Sequence, residues 1–323
     1  MEDFKKLFDS FSSLKVGVIG DVMLDTYMWG TVDRISPEAP VPVVSLKKKE
    51  YRIGGAGNVA LNCRSLGAQV SILSVTGNDA EGLLLEELLH ESAIDTTYLV
   101  KSNDRITTNK TRIISLNQQM MRLDAEITED LNSQDGENLL RKVQTYITTI
   151  DPDIIIFEDY NKGVLTENII QEALKFCRQA GILTAVDPKR KNFFSYKGVT
   201  VFKPNLHEAK EALNIIGDDV SLKQLENIHA ALYEQLQHTI SFITLSEKGV
   251  YYQSATEKEL IPTHIRSIAD VSGAGDTVIA VASLVYAATK DTQLSATMAN
   301  LAGGLVCEEV GTAAIDKEKL LKE

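Results

Sequence analysis

Residues 270–276 of the chain read DVSGAGD, and an apolar run from Thr277 to Ala288 follows at once. The glycines let several backbone N–H groups point at one spot just where a helix begins, and such a spot binds an anion. Asp276 lies in the first helical turn beside it, so its carboxylate is placed to take a proton from a hydroxyl that attacks a bound phosphorus. The stretch therefore predicts a catalytic base, Asp276, next to an anion hole formed by Gly273, Ala274 and Gly275.

The same motif has a simpler explanation. Gly-Ala-Gly before an apolar helix is typical of a tight turn, and the helix dipole by itself favours an aspartate in the first turn. A single GxGD motif leaves that explanation open. The rest of the chain favours the catalytic interpretation, because it adds a second glycine cluster, lysines at strand ends and an Asn/Glu pair suited to a metal.

Composition limits the class of protein. A length of 323 residues fits one large α/β domain, residues 1–323, with a small appendage. The 45 acidic and 33 basic residues give a net charge of −12, which argues against nucleic acid or an anionic membrane as a partner. Cys63, Cys177 and Cys307 fit neither a disulfide framework nor a zinc spacing, and no apolar run resembles a signal peptide or a membrane span. We therefore expect a cytoplasmic protein.

Short apolar strands alternate with helical patterns, which predicts a mostly parallel sheet with helices on both faces. The first strand, Val16 to Gly20, ends just before Asp21, and the same pattern predicts a strand from Asp95 to Val100. Ligands of such sheets bind beyond the carboxyl ends of the strands. Asp21 and Asp25 are therefore candidates to bind a polyhydroxylated substrate, with a turn or helix-cap role as the alternative.

Two segments interrupt this pattern. Residues 28–52 alternate apolar and polar positions and contain three prolines, and residues 105–124 have a similar character. Both patterns favour exposed strands over helices. We expect the two segments to form a small β lid over the active site. A second copy of the chain packed on the outer face of the lid would explain its exposed apolar side chains, so we also expect a homodimer.

Residues 54–58, GGAGN, form the second glycine cluster. From Gly55 to Ala60 the chain also matches GxGxxA, the outline of a dinucleotide-binding motif, so a nicotinamide dehydrogenase is an alternative function. That motif belongs after the first strand of the sheet, whereas here it follows a basic segment. Bare backbone at Gly54 and Gly55, with Asn58 in the next helical turn, instead favours contact with sugar hydroxyls.

Charged and polar residues follow the later strands. Lys162 and Lys189 each come after a buried strand and suit contact with a phosphate, although a loop lysine is usually just solvated. Asn205 and Glu208 have the spacing of a helix capping box, and the alternative is that they hold Mg²⁺, mostly through water. Further candidates for contact with the nucleotide are Ser246, Glu247, Gly249 and Asn300.

With these pieces in order, the sequence resembles the ribokinase-like (pfkB) carbohydrate kinases along nearly its whole length. The clusters at 54–58 and 270–276 carry this resemblance and are specific in combination. Within that family the chain is similar to the heptose 7-phosphate kinases of lipopolysaccharide-core biosynthesis. The stretches that carry this likeness are RISPEAPVPV at 34–43, NQQ at 117–119, RLD at 122–124, DYNKG at 159–163 and DPK at 187–189.

The resemblance implies a ribokinase-like α/β fold with a β lid, and an ATP-dependent kinase that uses Mg²⁺. Its reaction would phosphorylate the anomeric hydroxyl of D-glycero-D-manno-heptose 7-phosphate, giving the 1,7-bisphosphate used in ADP-heptose synthesis. Asp276 would be the base, Asn205 and Glu208 would organise Mg²⁺, and Asp21 and Asn58 would hold sugar hydroxyls. Candidates for the 7-phosphate or the transferring phosphate are Arg112, Lys162 and Lys189.

Two further expectations concern partners and rivals. The chain contains no HxGH nucleotidylyl-transfer motif, so we expect a stand-alone kinase and a separate nucleotidylyltransferase in the pathway. One rival function is another sugar-phosphate kinase of the family, such as a 6-phosphofructokinase-like enzyme. A second is a non-catalytic sugar-phosphate sensor, but a sensor does not need the base Asp276.

Overall fold

The computed structural model of the chain describes residues 2–116, 118–217, 220–263 and 268–322. Asn117, the first residue of the NQQ stretch, lies outside them. The strands are β1 (Lys15–Gly20), β2 (Val22–Ile35), β3 (Pro42–Gly55), β4 (Gln69–Leu73), β5 (Val75–Gly77), β6 (Val100–Ser102), β7 (Asn109–Ser115), β8 (Gln118–Ala125), β9 (Ile154–Glu158), β10 (Leu183–Asp187), β11 (Val201–Phe202), β12 (Ile240–Thr244), β13 (Val250–Gln253) and β14 (Lys258–Ile261).

The helices alternate with these strands through most of the chain. They are α1 (Glu2–Ser10), α2 (Ala56–Ser65), α3 (Ala80–Glu91), α4 (Ser133–Ile150), α5 (Glu167–Ala180), α6 (Leu206–Ala212), α7 (Leu222–Leu236), α8 (Ala274–Thr289), α9 (Thr292–Val306) and α10 (Lys317–Leu320). No helix in the described part of the chain has both the length and the apolar character that crossing a bilayer requires.

The main sheet has the strand order β14-β13-β12-β11-β10-β9-β1-β4. Its strands pair in parallel from β4 to β12, and only β13 and β14 are antiparallel. Apolar side chains from α2, α8 and α9 form the core on one face, and those from α4, α5 and α7 form the core on the other. The central strands β1 and β9 are apolar except for Lys15 and Glu158 at their ends, because both of their faces are buried. The predicted fold class is confirmed.

The prediction of a strand from Asp95 to Val100 is wrong. Asp95 forms a single bridge with Ser71, and β6 begins only at Val100. The carboxylate of Asp95 accepts hydrogen bonds from the backbone N–H and the hydroxyl of Thr97, at 3.0 and 2.6 Å. This local turn competes with strand pairing, which the apolar pattern by itself does not reveal.

A second, four-stranded sheet, which we call the small sheet, has the order β3-β2-β7-β8 and contains most of segments 28–52 and 105–124. In its register Asp25 is opposite both Arg52 of β3 and Lys110 of β7. Strand β8 is exposed along its whole length. The exposed apolar residues of this sheet include five that are each 43–61% exposed: Ile35, Leu46, Met120, Met121 and Leu123.

The parallel direction of the strands determines where the polar side chains at their carboxyl ends lie. Because β1, β9, β10, β11 and β12 run in parallel, their carboxyl ends meet at one edge of the main sheet. Asp21, Glu158 and Asp187 follow or end three of these strands, and β2 leaves the same edge to enter the small sheet. Helix α8 begins at this edge, because its first residues lie beside Asp187.

Candidate active site

Asp276 is buried in the first turn of α8 and is held by two side-chain donors. The amide of Asn58 donates to its Oδ2 at 2.7 Å, and the hydroxyl of Tyr160 donates to its Oδ1 at 2.8 Å. Burial raises the pKa of Asp276 to about 6, although the bonds from Asn58 and Tyr160 act in the opposite direction. The carboxylate is therefore ionised at neutral pH and more basic than an ordinary aspartate, as a general base requires.

Gly273 gives α8 its sharp start. Its φ of 78° is in the left-handed region, and a Cβ there would lie 2.8 Å from the amide nitrogen of Asn58. A larger residue would therefore strain the turn and push Asn58 away from Asp276. The first N–H groups of an α-helix have no acceptor within the helix, and Gly273 and Gly275 at the start of α8 are partly exposed to a ligand, while the N–H of Ala274 donates to the backbone oxygen of Val271 at 3.3 Å.

A network of ion pairs lies beside the start of α8. A Cβ on Gly275 would lie 3.5 Å from Oδ2 of Asp187 and 3.8 Å from Nζ of Lys203. Lys203 is buried and pairs with Asp187 at 2.7 Å, while Lys189 bridges Asp187 at 3.1 Å and Glu208 at 2.7 Å. Burial acts to raise the pKa of Asp187, but the ammonium groups of Lys189 and Lys203 hold it below its usual value. Two cations thus lie close to the anion hole.

Asn205 and Glu208 form the predicted capping box at the start of α6. The Asn205 side chain accepts from the backbone N–H of Glu208, and the Glu208 carboxylate accepts from that of Asn205, both at 2.8 Å. Their oxygen atoms are of the type that Mg²⁺ prefers. Within the described ranges no group of three acidic, histidine or cysteine residues is arranged to hold a metal. The pair therefore fits Mg²⁺ only as a contact to an ion held mainly by phosphates and water.

Glu158, at the end of β9, is a buried carboxyl group, and neither of its oxygens has a hydrogen-bond partner among the residues that the structure describes. Burial is the main cause that raises its pKa well above the usual value, and the nearby charges of Asp187 and Asp276 add to the effect. These causes favour the neutral form of Glu158, which spares the site a third buried negative charge beside these two aspartates.

Asp21 and Asp25 have partners on the side of the site that faces the small sheet. The Asp21 carboxylate accepts hydrogen bonds from the backbone N–H groups of Tyr160, Lys162 and Val164, at 2.8, 3.2 and 3.1 Å. It thus holds the loop that carries Tyr160, and binding of a sugar by Asp21 stays a prediction. Asp25 forms an ion pair with Arg112 of β7.

The glycine cluster at 54–58 fits closely around these aspartates. A Cβ on Gly54 would collide with the carboxylate of Asp25, and one on Gly55, whose φ is 59°, would collide with the backbone oxygen of Asp21. The cluster thus brings α2 and Asn58 up to the ends of β1 and β2. Contact of the bare backbone with a sugar stays a prediction.

Lysines gather on the same side. Nζ of Lys110 lies 5.2 Å from the centre of the Tyr160 ring, and that of Lys189 lies 5.7 Å from it. Burial lowers the pKa of Lys110, and the neighbouring charge of Lys162 lowers it further. Lys162 itself pairs with Glu126 at 2.7 Å. The ammonium groups of Lys110 and Lys162 repel each other in a half-buried position, and such a position is suited to an anionic ligand.

The residues predicted to contact the nucleotide lie in a second group. Asn300 donates to the backbone oxygen of Pro262 at 2.9 Å, and a Cβ on Gly249 would collide with the segment 261–263. Ser246 and Glu247 are exposed in the turn next to Gly249. Asn205 forms a bridge with Thr244, so this turn adjoins the capping box. The structure thus brings Gly249 and Asn300 to the segment 261–263, and their contact with a nucleotide stays a prediction.

Tyr160 and Lys203 are site residues that the sequence analysis did not single out. Lys203 directly follows the short strand β11, so the rule that selected Lys189 also selects it. Tyr160 carries no local signal, because its role depends on a hydrogen bond to a residue 116 positions away. Ordinary sequence patterns do not detect such a pair.

The fold and site together define a carbohydrate kinase, and comparison with known proteins agrees. Residues 13–319 match the family of pfkB carbohydrate kinases. The bifunctional protein HldE of Desulfatibacillum aliphaticivorans is 42% identical over 312 residues, which cover 96% of this chain and 63% of that protein. HldE of Geobacter sulfurreducens is 38% identical over 324 residues, covering 99% and 65%. The chain thus spans less than two thirds of the length of these curated relatives.

Solved structures show the same fold at low identity. Phosphofructokinase-2 from Escherichia coli, in complex with potassium, has a TM-score of 0.80 at 16% identity, with 96% of this chain and 97% of that one covered. Arabidopsis thaliana ribokinase, complexed with ribose and ATP, has a TM-score of 0.74 at 17% identity, with 96% and 99% covered. The chain belongs to the pfkB family of carbohydrate kinases, so the expected class of ATP-dependent carbohydrate kinase is confirmed.

Proposed function

We propose that the chain transfers the γ-phosphoryl group of ATP to the anomeric hydroxyl of D-glycero-D-manno-heptose 7-phosphate, giving the 1,7-bisphosphate. One observation carries this proposal. Tyr160 joins the two requirements of such a substrate, because its hydroxyl bonds the base Asp276 while Lys110 lies against its ring. A sugar phosphate with its reacting hydroxyl next to Asp276 can therefore have its phosphate next to Lys110. The heptose itself is favoured by the sequence likeness and by the relatives named HldE.

The proposed chemistry uses few groups. The oxygen of the anomeric hydroxyl attacks the γ-phosphorus while Asp276 accepts the proton of that hydroxyl. The bond from the γ-phosphorus to the β-phosphate oxygen breaks at the same time and releases ADP. The N–H groups at the start of α8, at Gly273, Ala274 and Gly275, stabilise the charge on the transferring group. Lys189 and Lys203 lower the electrostatic cost of bringing this anion next to Asp187 and Asp276.

Mg²⁺ is part of the proposal. When bound, it would neutralise phosphate charge and align the β- and γ-phosphates. Asn205 and Glu208 would hold it through water molecules, because their own hydrogen bonds in the capping box already use one oxygen of each side chain. Lys189 bonds the other carboxylate oxygen of Glu208 and so orients it.

The direct experiment measures ADP release from ATP and Mg²⁺ with D-glycero-D-manno-heptose 7-phosphate, beside fructose 6-phosphate, ribose and fructose. Selective turnover of the heptose phosphate is expected. Selective turnover of fructose 6-phosphate would replace the heptose assignment with a phosphofructokinase, since Lys110 and Lys162 suit any sugar phosphate. Silence with every sugar would favour the non-catalytic sensor.

We also propose that a second copy of the chain covers the outer face of the small sheet. Its exposed apolar residues, among them Met121 at 54% and Leu46 at 55%, form the kind of surface that dimers bury. Met121→Asp should convert a dimer to a monomer in sedimentation equilibrium at micromolar concentration. Leu83→Asp is the matched control, because Leu83 is 59% exposed on α3, outside the small sheet. An unaltered chain that sediments as a monomer would contradict the proposal.

The remaining parts of the proposal concern the cell. ATP and sugar phosphates are cytoplasmic metabolites, so we propose that the chain works there. The product, a sugar 1-phosphate, is a substrate for nucleotidylyl transfer. We propose that a nucleotidylyltransferase carries out that reaction.

A further inference from the structure

Arg52, on β3 of the small sheet, contacts the loop at residues 310–312, which follows α9. Its Nη1 donates to the backbone oxygen of Val310 at 2.8 Å and to that of Thr312 at 3.1 Å. The guanidinium carbon also lies 4.7 Å from the centre of the Tyr27 ring, on β2. A planar cation between a ring face and two carbonyl oxygens has little freedom to move. Arg52 therefore fixes residues 310–312 relative to the small sheet.

The same loop is bonded to the motif that forms the anion hole. Gly311 N–H donates to Oδ2 of Asp270 at 2.9 Å. The other oxygen of Asp270 accepts from the backbone N–H and the hydroxyl of Ser272, at 3.0 and 2.8 Å. Ser272 immediately precedes Gly273. A continuous set of contacts thus runs from Arg52 through Gly311 and Asp270 to the start of α8.

Close packing around Gly311 leaves the residues of this connection little room to move. Gly311 has a φ of 76°, and a Cβ there would lie 2.6 Å from Nη1 of Arg52 and 2.8 Å from the Tyr27 hydroxyl. Tyr27 is buried, and its ring also contacts the guanidinium of Arg112, which pairs with Asp25 on the sugar side. A displacement of the small sheet must therefore move the loop or break these contacts.

We propose that Arg52 is a positioning residue that couples the small sheet, and the sugar phosphate held there, to the phosphate-binding N–H groups of residues 273–275. The inference rests on the role that the proposed function gives to those residues. A sugar phosphate that orders the small sheet also orders the anion hole through Arg52, so binding of sugar and nucleotide is cooperative. By thermodynamic linkage, the nucleotide strengthens sugar binding by the same factor.

The test compares Arg52→Met with Arg178→Met. Arg178 is the matched control, because it is exposed on α5 and also donates to a backbone oxygen, that of Lys197 at 3.1 Å. Calorimetry measures the Kd of the non-hydrolysable analogue AMP-PNP with Mg²⁺, alone and with saturating heptose 7-phosphate. In Arg52→Met we expect the Kd of AMP-PNP to rise about fivefold or more, and the effect of the sugar phosphate on it to disappear. Arg178→Met should match the unaltered chain.

Three outcomes separate the proposals. Arg52→Met with unchanged AMP-PNP affinity and unchanged cooperativity overturns the coupling role. An equal loss of AMP-PNP and heptose 7-phosphate affinity, each measured without the other ligand and with the cooperativity unchanged, overturns it too, because general disruption of the fold predicts that result. An unaltered chain that binds AMP-PNP but not heptose 7-phosphate contradicts the proposed substrate alone, and the AMP-PNP affinity of Arg52→Met still tests whether Arg52 positions residues 273–275.

A second variant, Arg52→Ala, tests whether the loss of AMP-PNP affinity results only from instability of the fold. About 10 mM guanidinium should restore part of its AMP-PNP affinity, whereas sodium at the same ionic strength should not, because only guanidinium can donate to both carbonyl oxygens. A folded Arg52→Ala, shown by an unchanged circular dichroism spectrum, that has lost affinity and gains nothing from guanidinium contradicts the inference.

Discussion

The hydroxyl of Tyr160 donates a 2.8 Å hydrogen bond to Oδ1 of Asp276, although the two residues are 116 positions apart in the chain. This bond stabilises the ionised form of the carboxylate, while burial favours the neutral form. The two effects together determine the pH at which the base becomes active. Tyr160 is held for this contact by Asp21, which accepts its backbone N–H.

Tyr160→Phe should move the acidic limb of the pH–rate profile to higher pH. Without the phenolic donor, the pKa of Asp276 rises above its value of about 6, and we expect a shift of about 0.5 to 1 unit in the limb of kcat/KM. Tyr233→Phe, at an exposed tyrosine on α7, is the control and should not move the limb. An unchanged limb in Tyr160→Phe would show that this bond does not tune the base.

Asp276→Asn should make the fold more stable at alkaline pH. The folded-state pKa of about 6 exceeds the value of 3.8 in the unfolded chain, so the folded state binds more protons between them and loses stability as the pH rises through this window. Asparagine carries no charge to bury. We expect a gain on the order of 1 to 3 kcal/mol at about pH 8 and almost none at about pH 4, measured by urea unfolding. A loss of stability at about pH 8 would contradict this explanation.

Gly273→Ala and Gly275→Ala should differ sharply, although each adds one methyl group. At Gly273 the methyl group lies 2.8 Å from the Asn58 amide in a left-handed backbone conformation, whereas at Gly275 its nearest neighbour is 3.5 Å away. Gly273→Ala should lower the free energy of unfolding by about 1 kcal/mol or more and reduce kcat. Gly275→Ala should keep its stability and raise the KM for ATP. Equal thermal stability of the two variants would rule out the proposed strain at Gly273.

Lys110→Met should weaken the binding of phosphorylated sugars selectively. Removal of one of the two neighbouring ammonium groups lowers the positive potential beside Tyr160, and we expect the KM for heptose 7-phosphate to rise about tenfold with little change in the KM for ATP. Lys101→Met is the control, because Lys101 is on β6, outside the small sheet, and pairs with Glu86 of α3. A rise in the KM for ATP alone would place Lys110 on the nucleotide instead.

The sequence was sufficient to predict the fold class because its signals are local. Apolar runs such as Ile154 to Phe157 predict buried strands, and glycines at 273 and 275 predict the start of α8. The wrong strand at 95–100 resulted from a side-chain hydrogen bond of Asp95 that no apolar pattern encodes. The prediction failed where a single polar contact outweighed periodicity.

The site was predictable only in part, for a related reason. Asp276 and the capping box of Asn205 and Glu208 belong to short motifs, so their positions follow from a few neighbouring residues. The contacts of Tyr160 and Arg52 join segments more than 100 residues apart, and the contact of Arg52 also depends on how the small sheet meets the loop after α9. Such contacts result from tertiary packing and leave no periodic trace in the sequence.

The central claim is that Asp276 is the base of a kinase reaction. Its most direct test is the turnover of Asp276→Asn with ATP, Mg²⁺ and heptose 7-phosphate, together with the Kd of AMP-PNP for the same variant. We predict that kcat falls by roughly 10² to 10⁴ while the Kd of AMP-PNP changes by less than about twofold. A variant that binds AMP-PNP normally and turns over at a near-normal rate would contradict the claim.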